Sequence, residues 1–458
     1  MCGIVGIANA AGAAEYTYVG LHAIQHRAIE YAGMVTTDGS DAFTHHGTGV
    51  VRQVFNQPIL DNLHGRFALG HIRYATVEDK NSHQRNIQPL IATVGDSFVA
   101  IAHNGNLTNA DSLRQELLND GALFATSLDT EVILHRFMRA SGTPTERLIK
   151  ALDGVRGSYT LVLLMPDMMI ATVDPSGNRP LMLGQKDGGY FIASESAAFQ
   201  AMGVTRMREI EPREIIAITK DTIKTSFLPD WTAGVRRRCR FEHVYYALPS
   251  SIMFGQDVAN FRLRLGRALE LTSPTLDADY VFGVPDSATF IAYGYGASGR
   301  SGIYVPGILR NHYVGRTFIQ GRQGLRDTGV SRKFSVVPEF VRGKKIALID
   351  DSIVRLTTMP RLVERLRALD AKEIHVRIGS PQVISPCHYG IDTPTHSELA
   401  AAMMSLDAMK TRINCDSLEF LSLKTLRSLS SKPDDYCYAC WTGQYPACME
   451  PQENAAPT

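Results

Sequence analysis

The stretch Lys344–Thr358, KKIALIDDSIVRLTT, constrains the fold of this chain more than any other. Two lysines precede the apolar run Ile346–Ile349, which ends in the adjacent acids Asp350 and Asp351. The run is too short to span a bilayer and reads as a strand buried on both faces, as in parallel sheets. A small polar loop comes next. Leu362, Leu366 and Leu369 then recur at the spacing of one helix face, with Pro360 where a first helical turn accepts it. Glu373–Ile378 is a further strand. Strand, paired acids, loop, helix and strand make a βαβ unit, and ligands of such sheets bind beyond the carboxyl ends of the strands. Two carboxylates at a strand tip can hold sugar hydroxyls or Mg²⁺. The loop Ser352–Thr358 offers backbone N–H groups and hydroxyls at a helix start, which favours an anion. Together they suit a phosphorylated sugar; a plain turn after an apolar strand is the simpler alternative.

The chain has 458 residues, too many for a single core, so two or three domains are expected. Its 47 Lys and Arg balance 46 Asp and Glu, and a net charge of +1 asks for neither a nucleic-acid nor a membrane partner. No apolar run reaches the ~18 residues of a spanning helix, and the N-terminus lacks the basic region of a secretory signal. The expectation is a cytoplasmic protein. Its seven cysteines then point to catalysis or metal rather than to disulfides.

Cys2 directly follows Met1. With Met1 removed, one residue carries both a thiol and an α-amine. The thiolate is a nucleophile, and an amine of pKa near ~8 can serve as its base. A buried strand cysteine is the bland reading of Cys2 alone. Further along, Arg73 offers a fixed fork for a carboxylate, and Asp129 a carboxylate for an ammonium group. Asn104 and Gly105 can present a side-chain and a backbone N–H to an oxyanion, although Asn-Gly is also a hairpin signal.

These residues sit in MCGIVGI, GHIRYAT (Gly70–Thr76), HNGNLTN (His103–Asn109) and SLDTE (Ser127–Glu131), a set that resembles the N-terminal-nucleophile glutamine amidotransferases. The acid-pair stretch resembles the phosphoribosyl-pyrophosphate (PRPP) motif of amidophosphoribosyltransferases. The resemblance covers Met1 to about Met449. It implies that Cys2 attacks the glutamine amide, with Asn104 and Gly105 as oxyanion donors and Arg73 and Asp129 as glutamine ligands. It also implies that PRPP is held by Asp350, Asp351, Ser352, Arg355, Thr357, Thr358 and Lys333. VPDS (Val284–Ser287) matches a second strand-end loop, so Mg²⁺ would lie at Ser287, Asp350 and Asp351. Gln320–Lys333 reads as a mobile lid over PRPP.

Several positions depart from the family pattern. HRAIEYAG (His26–Gly33) and RYATVE (Arg73–Glu78) are unusual around the glutamine pocket. Leu356 replaces a glycine of the phosphate loop; since glycine serves where the backbone nears a phosphate or takes positive φ, its side chain is expected to crowd that cradle. DPSGNRPL (Asp174–Leu181) and ASES (Ala193–Ser196) match family patterns read as structural and domain-coupling. Gly234–Arg240, with three consecutive arginines, reads as a solvated linker, and the alternating runs over Gly157–Ile218 as a sheet of hairpins and meanders.

Cys437-Tyr-Ala-Cys440 has metal-ligand spacing, and with Cys239 and Cys387 it would give four thiolates, enough for tetrahedral Zn²⁺ or a [4Fe–4S] cluster. The residues leave that choice open. The resemblance favours the cluster in a structural role, with zinc second, because all four positions match the iron–sulfur subclass. Cys415 and Cys448 read as ordinary cysteines.

The expected fold is an α+β N-terminal-nucleophile hydrolase αββα sandwich over residues 2–232. An α/β phosphoribosyltransferase domain with a mostly parallel sheet and a C-terminal cluster-binding tail follows over residues 240–458. The implied reaction converts glutamine, PRPP and water to 5-phosphoribosylamine, glutamate and pyrophosphate, the first step of de novo purine synthesis. Ammonia would pass from Cys2 to the ribose through an internal channel. The family also implies nucleotide effectors and a homodimer or homotetramer. Two alternatives stand beside this: a diverged paralogue serving a secondary pathway, and a catalytically weak regulatory protein.

Overall fold

The structure is a computed structural model and describes residues 2–74, 84–95, 97–229, 235–311, 333–393 and 395–446. The first half builds thirteen strands in chain order. They are β1 (Gly3–Ala8), β2 (Tyr31–Thr37), β3 (Ala42–Thr48), β4 (Phe67–Arg73), β5 (Leu90–Val94), β6 (Ser97–Leu107), β7 (Gly157–Met165), β8 (Met168–Val173), β9 (Met182–Lys186), β10 (Gly189–Ala193), β11 (Arg206–Glu209), β12 (Glu214–Thr219) and β13 (Ile223–Phe227). One seven-stranded sheet runs β11-β9-β10-β1-β4-β2-β3 and a six-stranded sheet runs β13-β12-β8-β7-β6-β5. Their pairings are antiparallel, so alternate residues face opposite sides. The segment Gly157–Ile218 is therefore not one sheet. Its β7–β8 hairpin lies in the second sheet, β9–β11 cross to the first, and β12 returns. Alternating hydrophobicity reveals a strand but not which sheet receives it.

Inner-facing residues of both sheets share one core, with Ile4, Val35 and Leu69 of one layer and Ala100, Val162 and Ile216 of the other. The outer face of the first sheet packs on helices Ala13–Ala23 and Ser196–Met202, and that of the second on Asp129–Arg139 and Pro144–Ala151. That gives four layers, αββα. The last helix starts where local chemistry requires: Thr143 Oγ1 accepts from Glu146 N at 3.3 Å, Glu146 returns a bond to Thr143 N at 2.8 Å, and Pro144 fills the first turn.

The second half holds a five-stranded sheet whose ladders are all parallel. Its order is Ile303–Tyr304, Tyr280–Gly283, Lys345–Asp350, Glu373–Ile378, Ser417–Phe420. The acid-pair strand is the central one, buried by Ile346, Ala347, Leu348 and Ile349, each 0 % exposed. Helix Met359–Ala368 follows it with Pro360 in its first turn, completing the βαβ unit.

The arginine run is not a solvated linker. Arg236 pairs with Glu211 at 2.9 Å and Arg238 with Glu209 at 3.3 Å. Arg238 and Cys239 pair in parallel with Tyr436 and Cys437, and the buried Arg240 guanidinium lies over the Phe261 and Tyr436 rings. Charge count alone could not reveal those partners, which come from both halves of the chain. The expected lid residues 320–332, Val77, Glu78 and Cys448 lie outside the described residues. Among the described residues, no helix is long and apolar enough to cross a membrane.

Candidate active sites

Cys2 precedes β1, and the Gly3↔Ile72 pairing that ends the β1/β4 ladder puts Cys2 and Arg73 at the same end of the first sheet. The second sheet reaches the same place through β6. Cys2 N donates to Asn104 Oδ1 at 3.3 Å, and the other atom of that amide, Nδ2, is buried without a hydrogen-bond partner among the described residues. An unpartnered buried donor costs about 1–3 kcal/mol, and this one belongs to the amide that holds Cys2 N, so a hydrogen-bond acceptor placed against it would be favoured. Asn104 and Gly105 lie inside β6 and not in a hairpin turn; Gly105 pairs with Tyr159 of β7, and a Cβ on it would strike the Ser158 carbonyl oxygen, so only glycine fits there.

His103, which the sequence did not single out, precedes Asn104 on β6. Its Nδ1 is 3.4 Å from Asp129 Oδ1, and its Nε2 is 3.4 Å from the Ser158 carbonyl oxygen. Burial pushes the imidazole pKa down, but the Asp129 carboxylate outweighs it and the pKa stands above the ordinary histidine value. Asp129 shows the converse: burial pushes it up, and His103 with the Leu107 N–H, 2.9 Å away, brings it below the ordinary value. The Asp129 side chain keeps 18 % of its surface accessible, so a free edge remains beyond these bonds.

Arg27, inside the departing His26–Gly33 segment, is another residue the sequence did not single out. It is 1 % exposed, and its Nε donates to the Cys2 carbonyl at 3.0 Å. Its two Nη groups pair with Glu195 and Glu242, each at 2.7 Å. Glu242 comes from the second half, in the π-helical turn Glu242–Tyr246. Glu195 also accepts from Leu248 N and Ser251 Oγ, each at 2.9 Å. Arg262 then ties the turn to the phosphoribosyl side, donating to the carbonyls of His243, Tyr245 and Ala247 at 2.8–2.9 Å. The motif set ASES held the signal for Glu195; nothing local marked Arg27 as its partner.

At the central strand tip, Asp350 and Asp351 are 9 % and 4 % exposed. Burial and then the Asp351 charge push the Asp350 carboxyl well above its usual range. Asp351 is raised by burial too, while the Ser287 and Ser352 hydroxyls and Arg262 draw it back. Ser352 Oγ donates to Asp351 at 2.6 Å. Ser287, Ser352, Asp350 and Asp351 thus meet, and the Lys333 charge acts on Asp350. Two buried like charges with hydroxyls around them suit a divalent cation with few protein ligands. Arg355 is not brought to this tip; it pairs with Glu398 at 3.0 Å. Thr357 is exposed, and Thr358 begins the following helix.

Leu356 adopts φ +56°, the conformation a glycine would allow, but its side chain turns into the core and not onto the loop surface. It is 4 % exposed and packs in a core with Ile353, Met359 and Phe282. The expected crowding is thus corrected: a left-handed leucine costs about 1–2 kcal/mol of backbone energy, and burial of its isobutyl group, worth about 1.5–3 kcal/mol, offsets that.

Cys239, Cys387, Cys437 and Cys440 line one pocket with Arg179, Phe241 and Tyr389. Among the described residues no group of three or more His, Cys, Asp or Glu is placed to hold a metal ion. Burial pushes the Cys239 thiol up to about 11 and the Cys437 thiol up to about 12, and Cys440 well above its usual value. Cys415 lies apart, in the core of the parallel sheet.

Comparison with known proteins agrees with this geometry. Residues 71–201 match the model of the glutamine amidotransferase domain. The chain is 42 % identical to amidophosphoribosyltransferase 2, chloroplastic, of Arabidopsis thaliana, over 99 % of this chain and 80 % of that one. It is 41 % identical to the amidophosphoribosyltransferase of Bacillus subtilis, over 97 % and 94 %. The crystal structure of glutamine PRPP amidotransferase from B. subtilis, complexed with ADP and GMP, superposes with a TM-score of 0.91 at 39 % identity, covering 99 % of both chains. With the N-terminal-nucleophile sandwich and the phosphoribosyltransferase sheet both in place, the chain belongs to the amidophosphoribosyltransferase family of glutamine-dependent pentosyltransferases.

Proposed function

We propose that the chain makes 5-phosphoribosylamine from PRPP, glutamine and water, opening purine synthesis, with a glutaminase half over residues 2–232 and a phosphoribosyltransferase half over residues 240–458. The observation that carries the reading is the divided Asn104 amide, whose Oδ1 holds Cys2 N while its Nδ2 is buried and unfilled. The reading requires a free α-amine on Cys2. That amine takes the thiol proton, and the thiolate attacks the glutamine amide carbon. Asn104 Nδ2 and the Gly105 N–H receive the developing oxyanion, while Arg73 and Asp129 take the α-carboxylate and α-ammonium of glutamine. The protonated α-amine returns that proton to the amide nitrogen as the intermediate collapses, which expels ammonia and leaves a glutamyl thioester; water then cleaves the thioester to glutamate and restores the thiol.

At the other half, Asp350 and Asp351 hold the ribose side of PRPP, and Ser352, Thr357, Thr358 and Lys333 its phosphates. Arg355 joins them only by leaving Glu398. Mg²⁺, when bound at Ser287, Asp350 and Asp351, would neutralise the pyrophosphate as it leaves. Ammonia passes internally to C1 of the ribose, where water would otherwise trap it as ammonium. The four cysteines would hold a [4Fe–4S] cluster that fastens the arginine segment and the C-terminal tail to the core; zinc is the second choice. We further assign a cytoplasmic homodimer or homotetramer regulated by nucleotides, in keeping with the ADP and GMP bound to the B. subtilis structure.

The test is stoichiometry. Anaerobically purified protein with glutamine, PRPP and Mg²⁺ should yield glutamate, pyrophosphate and phosphoribosylamine in equal amounts, and should contain iron and sulfide. Glutamate release without phosphoribosylamine would point instead to the diverged paralogue, and no release to the regulatory protein. The packing of Leu356 removes the main motive for the paralogue. Accordingly, Leu356→Gly should lower stability by about 1–3 kcal/mol, as lost packing exceeds relieved strain, and leave KM for PRPP within about twofold. Thermal melting and initial rates measure both.

A further inference from the structure

The turn Cys387–Gly390 belongs to the second half, yet it lies against the Asn104–Gly105 stretch of β6 in the first. Asn106 Nδ2 donates to the His388 carbonyl at 3.0 Å. The Tyr389 carbonyl accepts from Ser158 Oγ at 2.8 Å and from Arg179 Nε at 2.7 Å. Both donors and Tyr389 are at most 2 % exposed, so the crossing is fixed by buried bonds. Gly390, at φ +99°, then approaches so closely that a Cβ on it would lie 2.9 Å from the carbonyl carbon and oxygen of Gly105. On its other side Gly105 meets the Ser158 carbonyl, where a Cβ of its own would not fit. Gly105 is thus crowded at its Cα by the Ser158 carbonyl and at its Cα and carbonyl by Gly390.

We infer that Gly390 is a positioning residue for glutamine hydrolysis: a residue of the phosphoribosyl half packs on the Gly105 Cα and carbonyl, and so sets the backbone torsions that aim the N–H on the other side of that Cα, the oxyanion donor beside Cys2. The inference rests on the reading of Gly105 as an oxyanion donor. Its physical basis is tolerance. Oxyanion stabilisation depends on donors standing about 3 Å from where the charge develops, and a misplacement near 1 Å costs on the order of a hundredfold. A methyl group on Gly390 has nowhere to go but into the Gly105 peptide. The same turn begins at Cys387, one of the four pocket cysteines, so anything that moves that thiol also moves the support of the Gly105 stretch.

Gly390→Ala separates this role from general support of the fold. Its glutaminase kcat should fall about tenfold to a hundredfold with KM for glutamine within about twofold. Synthesis driven by added ammonia, and iron and sulfide content, should be unchanged. A glutamine-derived aldehyde, which forms a tetrahedral adduct on Cys2, should bind about tenfold more weakly, while glutamate binding stays the same. Ser158→Ala, which removes one bond to the turn without adding bulk, should lower glutaminase kcat about threefold to tenfold with the same pattern, and serves if Gly390→Ala does not fold. Parallel loss of the glutamine- and ammonia-driven activities, or no loss in either variant, overturns the proposal. If Cys2→Ala leaves glutamate release intact, the underlying reading fails and this proposal falls with it; if Cys2→Ala abolishes release but Gly390→Ala and Ser158→Ala do not lower it, only the positioning role fails.

Discussion

Cys2→Ala should abolish glutamate release, by about 10⁴-fold or more, and leave ammonia-driven phosphoribosylamine synthesis within about twofold of the parent protein. The size follows from the chemistry: without the sulfur no thioester forms, and positioned donors alone return only a small part of the rate. The second half of the expectation follows from the architecture. Cys2 lies at the end of the β1/β4 ladder, whereas the acid pair ends a different sheet in a different core. Asn104→Ala should be milder, lowering kcat about 10²–10³-fold, because it removes a donor and not the nucleophile. Assays with glutamine and with ammonium chloride, on variants that melt at the parent temperature, decide the matter. Equal loss of both activities in Cys2→Ala would contradict separate sites.

Arg27→Met should cost about 3–5 kcal/mol, because it strips the cation from two buried carboxylates. Arg27, Glu195 and Glu242 all have fully buried side chains. Burial alone would depress the Arg27 pKa, but Glu242 and Glu195 outweigh it and hold the guanidinium charged. Glu195 keeps His26 Nε2 at 3.1 Å and donors from Leu248 and Ser251, whereas Glu242 loses two bonds from Arg27 and keeps the longer pairing with Arg179 Nη1 at 3.5 Å, so the larger share of the loss falls on Glu242. A melting temperature lower by roughly 10 °C is expected, from about 2–4 °C per kcal/mol for units of this size. Glutaminase activity should fall further than stability alone explains, since the Cys2 carbonyl loses its donor. Combining Arg27→Met with Glu242→Gln should recover part of the stability, because the uncompensated charge is then gone. Thermal melts of the two single variants and the double variant provide the check. If the double variant melts below Arg27→Met, the ion network is not what holds this interface.

Much of the site was legible as residue types in order. The apolar run ending in Asp350–Asp351 had to be a buried strand with acids at its tip, because a parallel strand shielded on both faces is apolar throughout. Asn104 and Gly105 were legible too, since few residues can aim both a side-chain and a backbone N–H at one point. Arg355 was only half legible: its charge and spacing were read, but its pairing with Glu398 depends on a residue 43 positions away. The solvated reading of Arg236–Arg240 failed for the same reason, because its partners lie in other parts of the chain. Leu356 failed differently. Sequence identified the backbone demand for positive φ, but the direction of the side chain depends on the cavity below it.

What the sequence by itself determined is the chemistry available: a thiol at position 2, paired acids at a strand tip, a Cys-x-x-Cys pair, and periodicities that mark the strands and helices. These are local properties, set by side-chain type and by the pitch of strand and helix. Only the tertiary structure decided that Arg27 joins Cys2 to Glu242, that His103 sits between Asp129 and Ser158, and that Gly390 backs Gly105. Those contacts join residues far apart along the chain, and a buried charge or a close backbone approach is fixed by whichever partner the fold delivers, which no local pattern encodes.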